Sequence, residues 1–207
     1  MSLKAVKSRI PPGVTLVAVS KAQPVENIRQ LLDEGHRVFG ENRVQEAEEK
    51  FPALRAQYKD IELHFIGHLQ TNKAKAAVSV FDVIETVDRI PLAEALQKEM
   101  EKQQRNLPCF IQVNTGDEEQ KGGVPPKELE SLFRFCTEQA QINIAGLMCI
   151  PPVHEIPDLH FALLHKLAQN LGLKKLSMGM SADFDIAIRY GATHVRLGSA
   201  IFESMET

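Results

Sequence analysis

The feature that most constrains this chain is a regular alternation of two kinds of segment. Short apolar runs rich in β-branched residues alternate with longer segments whose apolar residues recur at helical spacing. The runs predict strands at residues 14–21, 37–40, 61–66, 81–86, 108–114, 142–150, 175–178 and 194–197. Helices are predicted at residues 25–32, 44–57, 72–78, 91–104, 127–139, 157–171 and 182–190.

Eight strand–helix units in 207 residues predict an α/β fold, a single (β/α)8 TIM barrel that spans residues 1–207. A doubly wound open sheet is the alternative, but eight regular units favour closure. The strand interiors are expected to stay apolar, while polar residues and glycines collect where the strands end. In such a barrel the chemistry lies at the carboxyl ends of the strands.

Composition excludes several classes of protein. Hydrophobic residues make up 43% and charged residues 25% of the chain, which is ordinary for a soluble globular domain. The net charge is −3 with both signs mixed, so no basic block indicates a nucleic-acid or membrane partner. Three cysteines without a CxxC spacing indicate reduced, mostly buried thiols, and no signal peptide or membrane span is visible. We therefore expect a cytoplasmic protein.

Lys21 is the first candidate functional residue. It ends the apolar run 14–21, and Pro24 places the start of a helix just behind it. Ligands of parallel α/β proteins bind at this kind of position. An amine enclosed by an apolar wall loses solvation and has a lowered pKa, which suits Schiff-base formation. The alternative is that Lys21 only caps the strand and points into water.

The ends of the last two predicted strands form a candidate anion site. Residues 178–181 make a tight turn into a helix, with backbone N–H groups and the Ser181 hydroxyl available. Arg196 could pair with phosphate oxygens, and Gly198 would let the backbone come close. Taken singly, Ser181 could be an ordinary N-cap, and Arg196 could form a surface ion pair with Asp183 or Asp185.

Taken together on adjacent strands, these residues favour an anion site, which barrels often keep at this position. A lysine on the first strand facing such a site describes a pocket for a phosphorylated aldehyde or ketone. Pyridoxal 5′-phosphate and a sugar phosphate both fit that description, and composition does not separate them.

Other polar residues have simpler interpretations. His64 and His68 are four residues apart, but on a strand and its turn, so metal binding is not favoured. Lys73 is expected on a solvated helix face. Lys121 lies in a glycine-rich loop as a surface lysine or a mobile second amine, and Tyr190 is expected to pack.

Several motifs in sequence order resemble one known family. They are AVSK at 18–21, FGEN at 39–42 with QE at 45–46, HFIGHLQTNK at 64–73, VN at 113–114, LSMGMS at 176–181 and VRLGSAIF at 195–202. This set is similar to the pyridoxal phosphate homeostasis proteins, the YggS/PROSC family. The motifs run from about residue 14 to residue 202, and together they are highly specific although each alone is weak.

The resemblance implies a fold-type-III barrel like the N-terminal domain of alanine racemase. It implies pyridoxal 5′-phosphate held as a covalent aldimine at Lys21, with Asn42 beside the ring. Phosphate contacts would fall on Ser181, Arg196 and Gly198, with backbone help at Met180. The family is thought to buffer the cofactor, deliver it to apo-enzymes and maintain vitamin B6 and amino-acid homeostasis. No established catalytic reaction is attached to it.

Three positions depart from the family pattern. The segment ahead of the first strand is shorter than usual, so a leading helix could be truncated or missing. Leu63 stands where tryptophan is common, and Glu203 stands where glycine is common. None of these positions touches the predicted aldimine.

A non-catalytic binding protein is favoured over an amino-acid racemase. Racemases of this barrel type carry a second domain and pair the lysine with a tyrosine base from a partner subunit. Here the only tyrosines are Tyr58 and Tyr190, and neither ends a predicted strand. A Schiff-base aldolase acting on sugar phosphates is a third, weaker option. We expect a monomer, and whether Lys121 or Lys73 holds a second cofactor molecule stays open.

Overall fold

The computed structural model of the protein describes residues 2–116, 118 and 122–202. Within these residues, parallel strands form a closed barrel in the order β1 to β8. The strands are β1 (Thr15–Val19), β2 (Val38–Glu41), β3 (Glu62–Phe65), β4 (Val83–Val87), β5 (Cys109–Gln112), β6 (Ile144–Met148), β7 (Lys175–Ser177) and β8 (His194–Leu197). The first and last strands pair from Thr15 opposite His194 to Ala18 opposite Leu197. The predicted barrel is therefore confirmed, and the open-sheet alternative is wrong.

Helices cover the outside of the barrel. They are α1 (Leu3–Lys7), α2 (Val25–Asp33), α3 (Val44–Gln57), α4 (Ala74–Val80), α5 (Ile90–Gln103), α6 (Leu129–Arg134), α7 (Pro157–Asn170), α8 (Phe184–Arg189) and α9 (Ser199–Phe202). Short 3₁₀ turns, Thr71–Lys73 and Pro126–Glu128, precede α4 and α6. The helix bounds otherwise match the predictions to within one to three residues at most ends.

The predicted helix at 127–139 is the main exception, because it consists of three segments. A 3₁₀ turn and α6 are followed by a π-helical turn, Phe135–Gln139, in which the N–H of Ala140 reaches back five residues to the carbonyl of Phe135. The hydroxyl of Thr137 donates to the carbonyl of Phe133 at 2.9 Å. This side-chain bond competes with regular backbone pairing, which is a known cause of helix irregularity.

Outward-facing strand residues pack beneath the helices and form one continuous apolar core. Phe39 of β2, Phe65 of β3, Phe161 of α7 and Phe184 of α8 are among its fully buried members. Each such side chain contributes roughly 1.5–3 kcal/mol by leaving water. This shell rigidly holds the strand ends, and therefore any site built upon them.

The barrel interior is not apolar throughout, contrary to the expectation from sequence. His64, Glu85, Ser177, His194 and Arg196 are all buried, and hydrogen bonds or ring contacts link them across β3, β4, β7 and β8. Strand residues alternate between the two faces of the sheet, so only every second residue of a strand faces the barrel axis. Polar residues at those positions alone can therefore line the interior. Apolar neighbours on the outward face hide this pattern in the sequence.

The segment ahead of β1 carries α1, so the leading helix is present but short. Ser2 caps it, with its Oγ accepting a hydrogen bond from the N–H of Ala5 at 3.3 Å. Leu3 and Val6 are buried in the main core. These contacts tie the beginning of the described chain to the barrel.

The cysteines agree with the expectation of reduced, mostly buried thiols. Cys109, Cys136 and Cys149 are unpaired and buried. Burial raises the pKa of Cys136 and Cys149 to about 12, so these thiols stay protonated. In the part of the chain that the structure describes, no helix has the length and apolarity to cross a membrane.

Candidate functional site

The turn that carries Lys21 and the loop that begins at Gly198 lie side by side at the mouth of the barrel. Parallel neighbours β1 and β8 end at Val19 and Leu197. A Cβ atom added to Gly198 would lie 3.3 Å from the carbonyl oxygen of Val19, two residues before Lys21. The predicted amine and the predicted anion loop therefore share one edge of the barrel.

Lys21 is exposed, so the enclosing apolar wall expected from the sequence is absent around it. β1 ends at Val19, which leaves Lys21 beyond the last ladder position, in a turn. The next residue, Ala22, has a φ of 58°, in the left-handed region that non-glycine residues rarely adopt. Strain of this kind persists only where surrounding contacts hold the backbone.

The loops after β7 and β8 contact each other through their backbones. Gly179 has a φ of 92°, and its carbonyl accepts a hydrogen bond from the N–H of Arg196 at 2.9 Å. The hydroxyl of Ser181 accepts from the N–H of Ala200 at 3.4 Å. Among the described residues, the N–H groups of Ser181 and Gly198 have no protein acceptor. The structure thus brings Ser181 and Gly198 together and leaves their two backbone N–H groups available to a ligand.

Ser181 is not an N-cap, so that alternative is wrong. The helix α8 begins three residues later at Phe184, with Asp183 at the N-cap position. Asp183 instead accepts a hydrogen bond from the N–H of Met180 at 2.6 Å. This bond shapes the turn that contains Met180 and Ser181, and it leaves the serine hydroxyl at the barrel mouth.

Arg196 does not form the surface ion pair that was the alternative to a phosphate contact. Its guanidinium lies in the barrel interior, where Nη1 donates to Ser177 Oγ at 2.6 Å and Nη2 to the carbonyl of Cys149 at 2.9 Å. Asp185 pairs with Arg9 instead. The side chain of Arg196 therefore reaches the site from below, and a contact with a bound phosphate stays a prediction.

Arg196 is the end of a buried polar chain that crosses the barrel. Ser177 Oγ donates to Glu85 Oε2 at 2.5 Å, and Glu85 Oε1 lies 2.6 Å from His64 Nδ1. The other ring nitrogen of His64 lies 2.7 Å from Glu62 Oε1, at the half-exposed opposite end of the barrel. Two carboxylates and two cations alternate along this chain, so their charges balance.

The pKa values of the side chains in this buried polar series follow from the alternation of their charges. Burial alone would lower the pKa of His64, but hydrogen bonds and charge from Glu62 and Glu85 raise it to about 9. Burial would raise the pKa of Glu85, but His64 and Arg196 lower it to about 2. His194 stands beside the chain, and burial lowers its pKa to about 4. At neutral pH, His64 is therefore charged and His194 neutral.

Asn42 lines a cavity of about 300 Å³ at the mouth. The other lining residues are Ile66, Gly67, His68, Gln112, Asn114, Gly122 and Ile150. This volume is at the lower end of small-molecule sites, which run from about 300 to 1,000 Å³. Asn42 Oδ1 is buried and has no hydrogen-bond partner among the described residues. A buried acceptor without a donor is costly unless a ligand supplies one. Of the predicted cofactor residues, only Asn42 lines this cavity; Lys21, Ser181, Arg196 and Gly198 do not.

The remaining candidates that the structure describes lie in a loop, a 3₁₀ turn and a helix end. His68 is mostly exposed, and no group of His, Cys, Asp or Glu within the described ranges could hold a metal ion. Lys73 ends a 3₁₀ turn, and Tyr190 packs against the main core. Lys121 lies outside the described residues.

Sequence reasoning missed the residues that hold the turn around Lys21. Ser20 Oγ lies 2.8 Å from Glu41 Oε1, and the N–H of Ala22 donates to Glu46 Oε1 at 2.6 Å. Lys50 reaches the carbonyl of Ser20 at 3.0 Å. The available signal was Glu46 and Lys50 at helical i, i+4 spacing, directly after the motif that contains Glu41.

Comparisons with known proteins match the barrel fold over nearly the whole chain. A family model described as the alanine racemase N-terminal domain matches residues 2–205. The chain is 43% identical over 196 residues to a protein of Aquifex aeolicus (strain VF5) named pyridoxal phosphate homeostasis protein, covering 90% of this chain and 85% of that one. PipY of Synechococcus elongatus PCC7942 is 37% identical, with 97% of each chain covered. Its structures without and with PLP bound superpose at TM-scores of 0.92 and 0.88.

Proposed function

This chain belongs to the pyridoxal phosphate homeostasis proteins, whose barrel is the alanine racemase N-terminal domain, and from that premise we propose that it binds pyridoxal 5′-phosphate as a buffering and delivering protein. PipY, a relative with the same fold, has been solved with PLP bound. The observation that carries the proposal is the close approach of Gly198 to Val19, whose carbonyl oxygen would lie 3.3 Å from a Cβ added to the glycine. This approach sets the turn of Lys21 beside the anion loops.

Lys21 would hold the cofactor covalently. Its amine nitrogen would add to the aldehyde carbon and one water would leave, so the resulting Schiff base requires neither oxidant nor reductant. When bound, the cofactor supplies an electron-accepting ring that can take up charge from a linked amine. Exposure of Lys21 leaves the linkage open to exchange with another amine, which suits a protein that gives its cofactor away.

The phosphate would be held by Ser181 and Gly198, with backbone help at Met180. The N–H groups of Ser181 and Gly198, together with the serine hydroxyl, supply donors to its oxygens. Asn42 would lie beside the ring, where its buried Oδ1 lacks a donor. Arg196 would support the cofactor from the barrel interior, because Ser177 and Cys149 hold its guanidinium there.

We propose that catalysis is not the main role of this site. A reaction at a substrate α-carbon needs an acid and a base on opposite faces. Tyr58 follows the C-terminal end of α3 and donates to Asp33, and Tyr190 follows the end of α8. Helices of this barrel run opposite to its strands, so both tyrosines lie far from the mouth. A racemase-like enzyme is the alternative, and cytoplasmic location, a monomeric state and apo-enzyme partners remain predictions.

Incubation with pyridoxal 5′-phosphate followed by borohydride reduction tests the proposal. We expect a visible Schiff-base band that reduction abolishes, with the reduced cofactor's mass found on the peptide containing Lys21. Lys21→Ala should lose the band, whereas Lys75→Ala, an exposed lysine on α4, should retain it. A label on another lysine would contradict the assignment, and sustained production of D-alanine from L-alanine would favour the racemase alternative.

A further inference from the structure

The turn that carries Lys21 is held on both sides by three charged residues from β2 and α3. We propose that Lys50, with Glu41 and Glu46, is the positioning group that presents the Lys21 amine for Schiff-base formation. This inference rests on the proposed function. It concerns how the linkage forms and not whether the cofactor binds.

Lys50 is the centre of the group. Its Nζ donates to the carbonyl of Ser20 at 3.0 Å, lies 3.3 Å from Glu41 Oε1, and pairs with Glu46 Oε1. Its side chain is 12% exposed, compared with 0% for Glu41. A lysine ammonium has three donors and no acceptor, so these three contacts use its whole hydrogen-bonding capacity. No donor of the Lys50 ammonium is left over for a contact on the protein surface.

The two glutamates grip the residues on either side of Lys21. Glu41 accepts from the Ser20 hydroxyl at 2.8 Å, before Lys21 in sequence. Glu46 accepts from the N–H of Ala22 at 2.6 Å, after it. No contact of the group is made by the side chain of Lys21 itself. The network therefore fixes the backbone at both neighbours and leaves the amine free for a ligand.

The backbone at Ala22 has to be stabilised by a contact of this kind. Ala22 has a φ of 58°, in the left-handed region that is sterically unfavourable for an L-residue. The Glu46 bond to its N–H offsets that strain and keeps the turn in one conformation. Without it, an exposed lysine beyond the strand end would sample many orientations, and few of them would place its nitrogen near the aldehyde carbon.

Electrostatics make Lys50 the member that holds the group together. Burial raises the pKa of Glu41. Burial would also raise the pKa of Glu46, but Lys50 and the N–H of Ala22 lower it. Removing the ammonium would leave two neighbouring carboxyls without their shared cation, so the grip on Ser20 and Ala22 would loosen.

The test separates Schiff-base formation from non-covalent binding. Pyridoxal 5′-phosphate measures both, while pyridoxine 5′-phosphate carries an alcohol in place of the aldehyde and measures binding alone. For Lys50→Met we expect the rate of Schiff-base formation to fall by about 10- to 100-fold, the range expected for lost positioning. Its affinity for pyridoxine 5′-phosphate should match that of the wild type, and Lys50→Arg should recover part of the rate.

Two further variants keep the test decisive. Lys98→Met removes an exposed lysine on α5 and should leave the rate unchanged. Glu46→Gln removes the ion pair with little change in size, and it carries the test if Lys50→Met does not fold. Unchanged rates in Lys50→Met or Glu46→Gln would overturn the inference, as would an equal loss of affinity for both ligands. Failure of the wild type and Lys98→Met to form any Schiff base would instead overturn the proposed function.

Discussion

Glu85 accepts a hydrogen bond from Nδ1 of His64 at 2.6 Å in the centre of the barrel, where neither side chain reaches solvent. The pair connects two neighbouring strands and continues through Ser177 to Arg196. A carboxylate in this position neutralises cations on both sides of it. The interior beneath the site is therefore held by charge pairing as well as by apolar packing.

Glu85→Gln should destabilise the protein strongly. The amide keeps the shape of the carboxyl group but leaves the charges of His64 and Arg196 without their shared anion. Breaking a buried pair in this way costs about 3–5 kcal/mol, measured as the free energy of unfolding in urea at pH 7. Glu94→Gln, on the exposed face of α5, should change it by less than about 0.5 kcal/mol. Similar values for the two variants would contradict a structural role for the network.

The stability of the protein should fall as the pH rises above neutrality. The pKa of His64 is about 9 in the folded state, above the ordinary histidine value of 6.5. The stabilisation is therefore fully present below about pH 6.5 and is lost as the pH rises through about 9. It corresponds to at most about 3 kcal/mol. Urea unfolding at pH 6.5 and 9.5 should show a larger decline in the wild type than in His64→Gln, because the buried thiols of Cys136 and Cys149 lower stability at alkaline pH in both proteins. Parallel profiles would show that His64 is not charged in the folded protein.

Asn42→Leu should separate stability from cofactor binding. The buried Oδ1 of Asn42 has no partner among the described residues, so removing it sacrifices no internal hydrogen bond. We expect the free energy of unfolding to stay level or rise by up to about 1 kcal/mol. Affinity for pyridoxal 5′-phosphate should fall about tenfold, the loss of one hydrogen bond. Asn106→Leu, at an exposed position before β5, should leave affinity unchanged. A large drop in stability would show that Asn42 serves the fold instead.

Gly179→Ala should destabilise the protein more than Gly172→Ala, because the new methyl group at residue 179 would clash in addition to straining the backbone. Gly179 and Gly172 both have positive φ values, 92° and 69°. A Cβ at Gly172 would meet nothing within 4 Å, whereas one at Gly179 would lie 2.5 Å from the Cβ of Ala187. Thermal or urea unfolding should therefore show an extra loss of about 1–3 kcal/mol for Gly179→Ala over Gly172→Ala. Weaker cofactor binding should accompany it, because Met180 and Ser181 follow directly.

Elements and strand ends were largely predictable from the sequence because they depend on local patterns. The predicted bounds of α3 and β8 agree with the structure at both ends. The segment 127–139 was not predictable in detail, because its irregular helix depends on competing bonds such as that of Thr137. Lys21 was predicted as the last residue of the first strand, but β1 ends at Val19 and Lys21 lies two residues further on, exposed in a turn. Its exposure depends on where the strand stops and on which loops surround it.

The sequence by itself determined the eight-unit barrel and the edge at which Lys21, Ser181 and Gly198 collect, since both follow from periodicity along the chain. Only the tertiary structure decided that Arg196 points into the barrel, that Glu85 meets Ser177 92 residues away, and that Lys50 grips the turn of Lys21. Alternation tells which residues share a face of a strand. Only closure of the sheet decides which face becomes the interior and which distant side chains meet there.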